Sequence, residues 1–174
     1  AIRLDAGVVT AQTPLIDAAY YDLLGRLPDG RELDYWNPRF GDGRADTSVL
    51  RHTIVADPSS GGSVRATINR LYVDFGGRAA STAEGDFWAA RLADGENYGG
   101  VRTAIIDDPL GRDHIGAVTD ALYREFAGRG ATPAEAAFWT GEVRNGTTYS
   151  GIRNGILDDP LGKNHTAAEL GTLY

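Results

Sequence analysis

Two nearly identical strings hold the densest polar chemistry in the chain: "DDPLGRDH" (Asp107 to His114) and "DDPLGKNH" (Asp158 to His165). Carboxylates clustered this closely suit calcium, which takes about six to eight oxygen ligands, and the imidazole beside them suits zinc. The candidate metal ligands are therefore Asp107, Asp108, Asp113, His114, Asp158, Asp159 and His165, and calcium is the cofactor they suggest. The spacing is not that of an EF-hand loop, and neither string supplies a full ligand set alone. The earlier counterpart, "ADPSSGGS", carries Ser63 where the histidine would stand. A structural reading is also open: the end of one helix, an Asp-Pro turn, and an N-cap at Asp113 or Asn164 for the next helix.

A second chemistry is glycan recognition. Tyr98 and Tyr149 sit in polar stretches ("ENYGG", "TTYSG"), followed by Arg102 and Arg153. Aromatic faces suit the C–H faces of sugar rings, and guanidinium groups suit anionic substituents. The competing reading makes each tyrosine a cover over a neighbouring segment. Arg26, Arg78 and Arg129 divide in the same way, between anion binding and a structural place at a helix C-terminus over an aromatic ring. Catalysis has less to stand on. No nucleophile elbow, zinc-protease motif, phosphate loop or dinucleotide fingerprint occurs. His52 has no partner implied by spacing. A glycan hydrolase would need two carboxylates near each other, one in a partly apolar pocket, and Glu32, Glu84 and Glu135 stand where capping claims them. The Gly-rich stretches "GDGRAD" and "GGSVRA" follow no strand pattern and read as turns.

The elements that would position these residues are copied along the chain. Tyr20, Tyr72 and Tyr123 each precede a Gly-Arg pair (Gly25-Arg26, Gly77-Arg78, Gly128-Arg129), and Trp36, Trp88 and Trp139 follow in register. Gly43, Gly95 and Gly146 come next, and Asp-Pro closes each copy, with one extra residue in the first. Spacing divides the chain into an extension over 1–13, units over 14–62, 63–113 and 114–165, and a start of a fourth unit or a capping helix over 166–174, with Tyr174 at the fourth opening position. Fixed-period landmarks of this kind mark repeat architectures.

Each copy predicts three short helices. Helix A carries Val64, Ile68, Leu71, Tyr72 and Phe75 in the second copy, and Ile115, Val118, Leu122 and Phe126 in the third, at helical spacing. It stops at the glycine of Gly-Arg, which can take the left-handed conformation that ends helices. Asp29 with Glu32, Ser81 with Glu84, and Thr132 with Glu135 predict capping boxes that start helix B, with Pro133 at a first helical position. Helix B presents Leu33, Trp36 and Phe40, Trp88 with Leu92, or Trp139 with Val143. Helix C presents Leu50 and Ile54, Val101 and Ile105, or Ile152 and Ile156. No segment alternates for long enough to be a strand. The prediction is an all-α compact array of three units of about 51 residues that share a core, since so small a unit cannot bury its faces alone.

Composition narrows the function. A net charge of −7, with sixteen Arg and one Lys (Lys163), gives no basic stripe for a polyanion, so nucleic acid is a poor partner. No apolar run approaches the roughly 20 residues of a membrane span, and nothing reads as a signal peptide. A first residue Ala1 without Met is expected of a mature or excised chain. The absence of Cys excludes disulfide and thiol chemistry and suits either side of a cell envelope.

The stretch Tyr20-Tyr21-Asp22-Leu23-Leu24-Gly25-Arg26-Leu27-Pro28-Asp29, continuing to Tyr35-Trp36, resembles a bacterial family of domains of unknown function. That family has the signature Tyr…Leu-Gly-Arg-x-Pro-Asp…Tyr-Trp, and its members occur in large secreted proteins beside hemolysin-type calcium-binding repeats and S-layer-associated domains. The chain is also distantly similar to a phycobilisome linker domain. The later copies depart, with Gly76 and Ala127 for the Leu, and Phe87 and Phe138 for the Tyr. The resemblance implies an extracellular or cell-surface helical module of a larger bacterial protein. Its partners would be a glycan or cell-surface component and the parent protein's other domains, and it implies no catalytic residue. The expected function is non-catalytic attachment; the alternatives are a calcium-stabilised spacer or protein-interaction module and, more remotely, a small all-α glycan hydrolase.

Overall fold

A computed structural model describes residues 9–171. The protein is all-α: these residues form ten helices, with no strand among them. In chain order they are α1 (Thr13–Leu24), α2 (Gly30–Gly41), α3 (Thr47–Ala56), α4 (Pro58–Gly76), α5 (Thr82–Ala93), α6 (Tyr98–Asp107), α7 (Pro109–Ala127), α8 (Pro133–Arg144), α9 (Tyr149–Asp158) and α10 (Pro160–Gly171). Helices α2, α5 and α8 each have 12 residues, α3, α6 and α9 have 10, and α4 and α7 have 19, in the register of the sequence copies. Tyr174, expected to open a fourth copy, lies outside the described residues.

Local chemistry explains the boundaries. Asp29, Ser81 and Thr132 each accept a hydrogen bond from the backbone N–H three residues on, and Glu32, Glu84 and Glu135 reach back to complete capping boxes. Gly25, Gly77 and Gly128 end the preceding helices at φ of 66°, 69° and 69°, where a Cβ would be strained. The extra residue of the first copy falls between α2 and α3, where residues 42–46 form the link; the links over 94–97 and 145–148 are one shorter.

One expected boundary needs correction. Asp113 and Asn164 do not cap helices; they lie inside α7 and α10, which start earlier, at the Asp-Pro steps. Asp57 accepts from Ser59 N and Ser60 N, Asp108 from Leu110 N and Asp159 from Leu161 N, and the following proline occupies a first-turn position where it needs no N–H partner. The glycines after these prolines are contact points rather than turns. A Cβ on Gly61, Gly111 or Gly162 would fall 2.1 Å from the carbonyl oxygen of Val55, Ile105 or Ile156, so each new helix grazes the one it leaves.

The described residues divide into two compact units, one of residues 9–71 and 79–101, the other of residues 72–78 and 102–171, so each takes helices from more than one sequence copy. In the first, α3 packs on α1 and α5 around fully buried Ile16, Leu23, Leu50, Val64, Ile68 and Leu92. In the second, α7 packs on α8, α9 and α10 around Ile106, Ile115, Val143, Ile152 and Ile156. The expected helix C residues Leu50, Ile54, Val101, Ile105, Ile152 and Ile156 are all buried.

Candidate functional site

The signature residues assemble into a latch at the first and third copies. Trp36 donates its indole N–H to the Tyr20 hydroxyl at 3.0 Å, and Trp139 donates to Tyr123 at 3.2 Å. The Arg26 guanidinium lies 5.3 Å from the Tyr20 ring centre and forks both oxygens of Glu32 at 2.7 Å. Arg129 does the same with Tyr123 and Glu135, and Arg78 lies over Tyr72. Burial pushes the Tyr20 phenol up to about 12. The Arg129 fork, helped by Thr132, holds Glu135 down at about 2, and Arg26 lowers Glu32 likewise. Arg26 and Arg129 meet the loop carbonyls of Leu27 and Gly130 rather than the last helical ones. Tyrosine, arginine, glutamate and tryptophan thus satisfy one another and fix the turn between two helices.

Tyr98 and Tyr149, the expected sugar contacts, open α6 and α9, and their hydroxyls point into the protein. Tyr98 donates to the Leu23 carbonyl in the last turn of α1 at 2.9 Å, and Tyr149 to the Asp74 carbonyl in the last turn of α4 at 2.7 Å. Burial raises both phenols. Arg102 donates to the Val143 and Arg144 carbonyls at the end of α8 and lies 4.7 Å from the Phe75 ring centre. Arg51, at the same register, is buried and donates to the Leu92 and Glu96 carbonyls at 2.7–2.9 Å. Arg153 is exposed, over Phe126.

Two clefts open beside these groups. One, of ≈ 330 Å³, is lined by Asp74, Phe75, Arg102, Thr147 and Tyr149, so it gathers two of the four expected glycan residues. The other, of ≈ 340 Å³, is lined by Tyr20, Glu32, Tyr35, Trp36, Asp29 and Asp57. The three carboxylates of this second cleft each cap a helix: Asp29 and Glu32 start α2, and Asp57 starts α4.

The Asp-Asp-Pro strings are not gathered. Among the described residues no group of three His, Cys, Asp or Glu is placed to hold a metal ion. Asp107 pairs with Arg144 at 2.8 Å, Asp108 and Asp159 cap helices, and Asp113 and Asp158 are exposed. The histidines serve packing. His114 lies against Gly77, where a Cβ would be 2.4 Å from its ring, and meets Tyr149 edge-on at 6.3 Å. His165 covers Gly128 in the same manner, while Gly25, whose counterpart residue is Ser63, has nothing within 4 Å. His52 pairs with Asp94 at 3.1 Å on the surface.

Sequence reasoning passed over one set of residues. Tyr35, Phe87 and Phe138 precede the three tryptophans and are 48%, 54% and 58% exposed. Each stands edge-on to its Trp at 4.9–5.0 Å. The Arg39 guanidinium sits 3.5 Å from the Tyr35 ring centre, and Arg91 sits 5.9 Å from that of Phe87. The signal was the aromatic doublet itself, because adjacent helical positions cannot both face one core. No protein-family model, curated protein or solved structure matches the chain. No helix among the described residues is long and apolar enough to cross a membrane.

Proposed function

We propose that the protein is a non-catalytic attachment module of a larger bacterial secreted or surface protein, and that it meets glycans through an exposed aromatic side chain on each sequence copy. The observation that carries this reading is the recurrence of Tyr35, Phe87 and Phe138, about half exposed at one register position, with an arginine against two of them. Trp36 and Trp139 already supply the apolar anchor of their latches, so the core does not call for a second aromatic there. Weak stacking at several sites adds by avidity, which suits a polysaccharide carrying many equivalent sugars. The non-catalytic part is supported by the capping roles of the carboxylates in the second cleft. The extracellular setting rests on the resemblance of the signature to the bacterial secreted-protein family.

The test is binding to immobilised polysaccharides, neutral and acidic, with the triple variant Tyr35→Ala/Phe87→Ala/Phe138→Ala. The expected result is a loss of about tenfold or more in apparent affinity, with the helical circular-dichroism spectrum kept. If the native chain binds no polysaccharide at millimolar sugar, or the triple variant binds as well as the native chain, the glycan reading fails. A second reading, a spacer or protein-interaction module, then takes its place. It is favoured by the inward hydrogen bonds of Tyr98 and Tyr149.

A further inference from the structure

Two junctions in the protein are built by one reciprocal exchange. An arginine of a helix C donates to carbonyls at or just past the C-terminal end of the next helix B: Arg51 to Leu92 and Glu96, Arg102 to Val143 and Arg144. In return, the tyrosine that opens the next helix C donates to the last turn of the earlier helix A: Tyr98 to Leu23 and Tyr149 to Asp74. Helix ends carry unsatisfied carbonyls, so both halves of the exchange supply donors that water would otherwise provide.

The third set of the same groups is unengaged. Arg153 stands at the register of Arg51 and Arg102, exposed, its guanidinium 5.3 Å from the Phe126 ring centre. Among the described residues it has no hydrogen-bond acceptor and no ion-pair partner. Glu125, at the register of Asp74, is exposed in the last turn of α7, and Phe126 is half-buried. We infer that Arg153, Phe126 and the end of α7 form a docking surface for a further repeat of the same signature. The recognised element is a helix B ending in Asp-Gly or Asn-Gly, followed by a tyrosine that opens a helix C, as in Leu92…Asp94-Gly95…Tyr98 and Val143…Asn145-Gly146…Tyr149.

A second copy of this chain is the poorer occupant. The first sequence copy carries one extra residue in that link and Thr47 where the tyrosine stands in the others. It therefore lacks the long phenol that would reach the Glu125 carbonyl. The established interfaces continue instead into a module with the full element: two guanidinium-to-carbonyl bonds one way, a phenol-to-carbonyl bond the other, and an aromatic face beneath the arginine.

The experiment appends a second copy of residues 121–171 after Gly171 and compares this extended chain with the native one by hydrogen exchange and thermal melting. The expected result is new protection at Phe126 and Trp139 in the extended chain. Arg153→Ala should lower its melting temperature by about 3 °C or more while leaving the native chain within about 1 °C. Tyr149→Phe in the appended copy, which removes only the hydroxyl, should weaken the protection at Glu125. An appended copy that stays unprotected, or an Arg153→Ala effect equal in both chains, overturns the inference. Self-association of the native chain that Arg153→Ala abolishes would assign the surface to a second copy and overturn it equally.

Discussion

The latches at Trp36 and Trp139 use the same residues and the same bonds, yet differ in burial. Trp36 is 4% exposed and Tyr20 5%, whereas Trp139 and Tyr123 are half-buried. Both tryptophans donate to their tyrosines, and both arginines fork their glutamates, so local chemistry does not account for the difference. The surroundings do. Trp36 stands beside Ile54 in a unit whose Ile16 and Leu33 are buried, while Trp139 lies against the backbone at Gly155 in a unit whose Leu122, Phe126 and Tyr149 are themselves only partly covered. The signature specifies the latch; neighbouring helices specify how much water it excludes.

The comparison breaks most visibly in truncation. Trp36→Ala should cost about 3–5 kcal/mol, since it removes a buried ring and leaves the Tyr20 hydroxyl without its donor. Trp139→Ala should cost about half that, roughly 1.5–2.5 kcal/mol, because water already reaches the ring and can enter the space it leaves. Urea melts of the two variants measure the difference. Equal losses would mean that burial does not set the latch's contribution.

Arginine at the junctions comes next. Arg51→Ala removes three hydrogen bonds to the Leu92 and Glu96 carbonyls from a buried setting, with an expected cost of about 2–3 kcal/mol. Arg153→Ala removes a cation–π contact of an exposed guanidinium and should stay within about 0.5 kcal/mol. Comparing their melting temperatures sharpens the contrast between an engaged junction and an open one.

What the sequence made legible follows from range. Capping boxes, left-handed glycines and the apolar faces of the short helices depend on residues within about four positions of each other, and these stood where the pattern placed them. The long helices α4 and α7 did not, because nothing nearby distinguishes a turn glycine from one against a carbonyl. Gly111 looks like a loop residue until Ile105 is seen 2.1 Å from where its Cβ would be. The partners of Tyr98 and Tyr149 lie 75 residues away, beyond any local rule, which is why polar neighbours made them resemble surface contacts. The strings at Asp107 and Asp158 misled for the same reason: closeness in sequence along a helix end spreads side chains round the axis instead of converging them.

Thr119 offers a gain. It is fully buried, and among the described residues its hydroxyl has no hydrogen-bond partner, at the position that Ile16 and Ile68 fill elsewhere. A buried hydroxyl without a partner forfeits its hydration, so Thr119→Val should stabilise the protein by about 1 kcal/mol. A melting temperature that falls in the variant would show that the third site needs a polar group the others lack.

A pH-dependent effect separates the electrostatic part of the latch from its packing. Arg129 and Thr132 hold the Glu135 carboxyl at about 2 in the folded protein, below its ordinary 4.5. A depressed acid contributes stability that is fully present above its unfolded value and is lost as pH falls through the folded one. Glu135→Gln should therefore destabilise at pH 7 by under about 1 kcal/mol, a modest figure because the pair borders solvent. The difference from the native chain should shrink between pH 4.5 and about 2 and vanish below. Stability measured across that range gives the answer. A difference that persists at pH 1.5 would mean that Glu135 acts through shape and capping rather than charge.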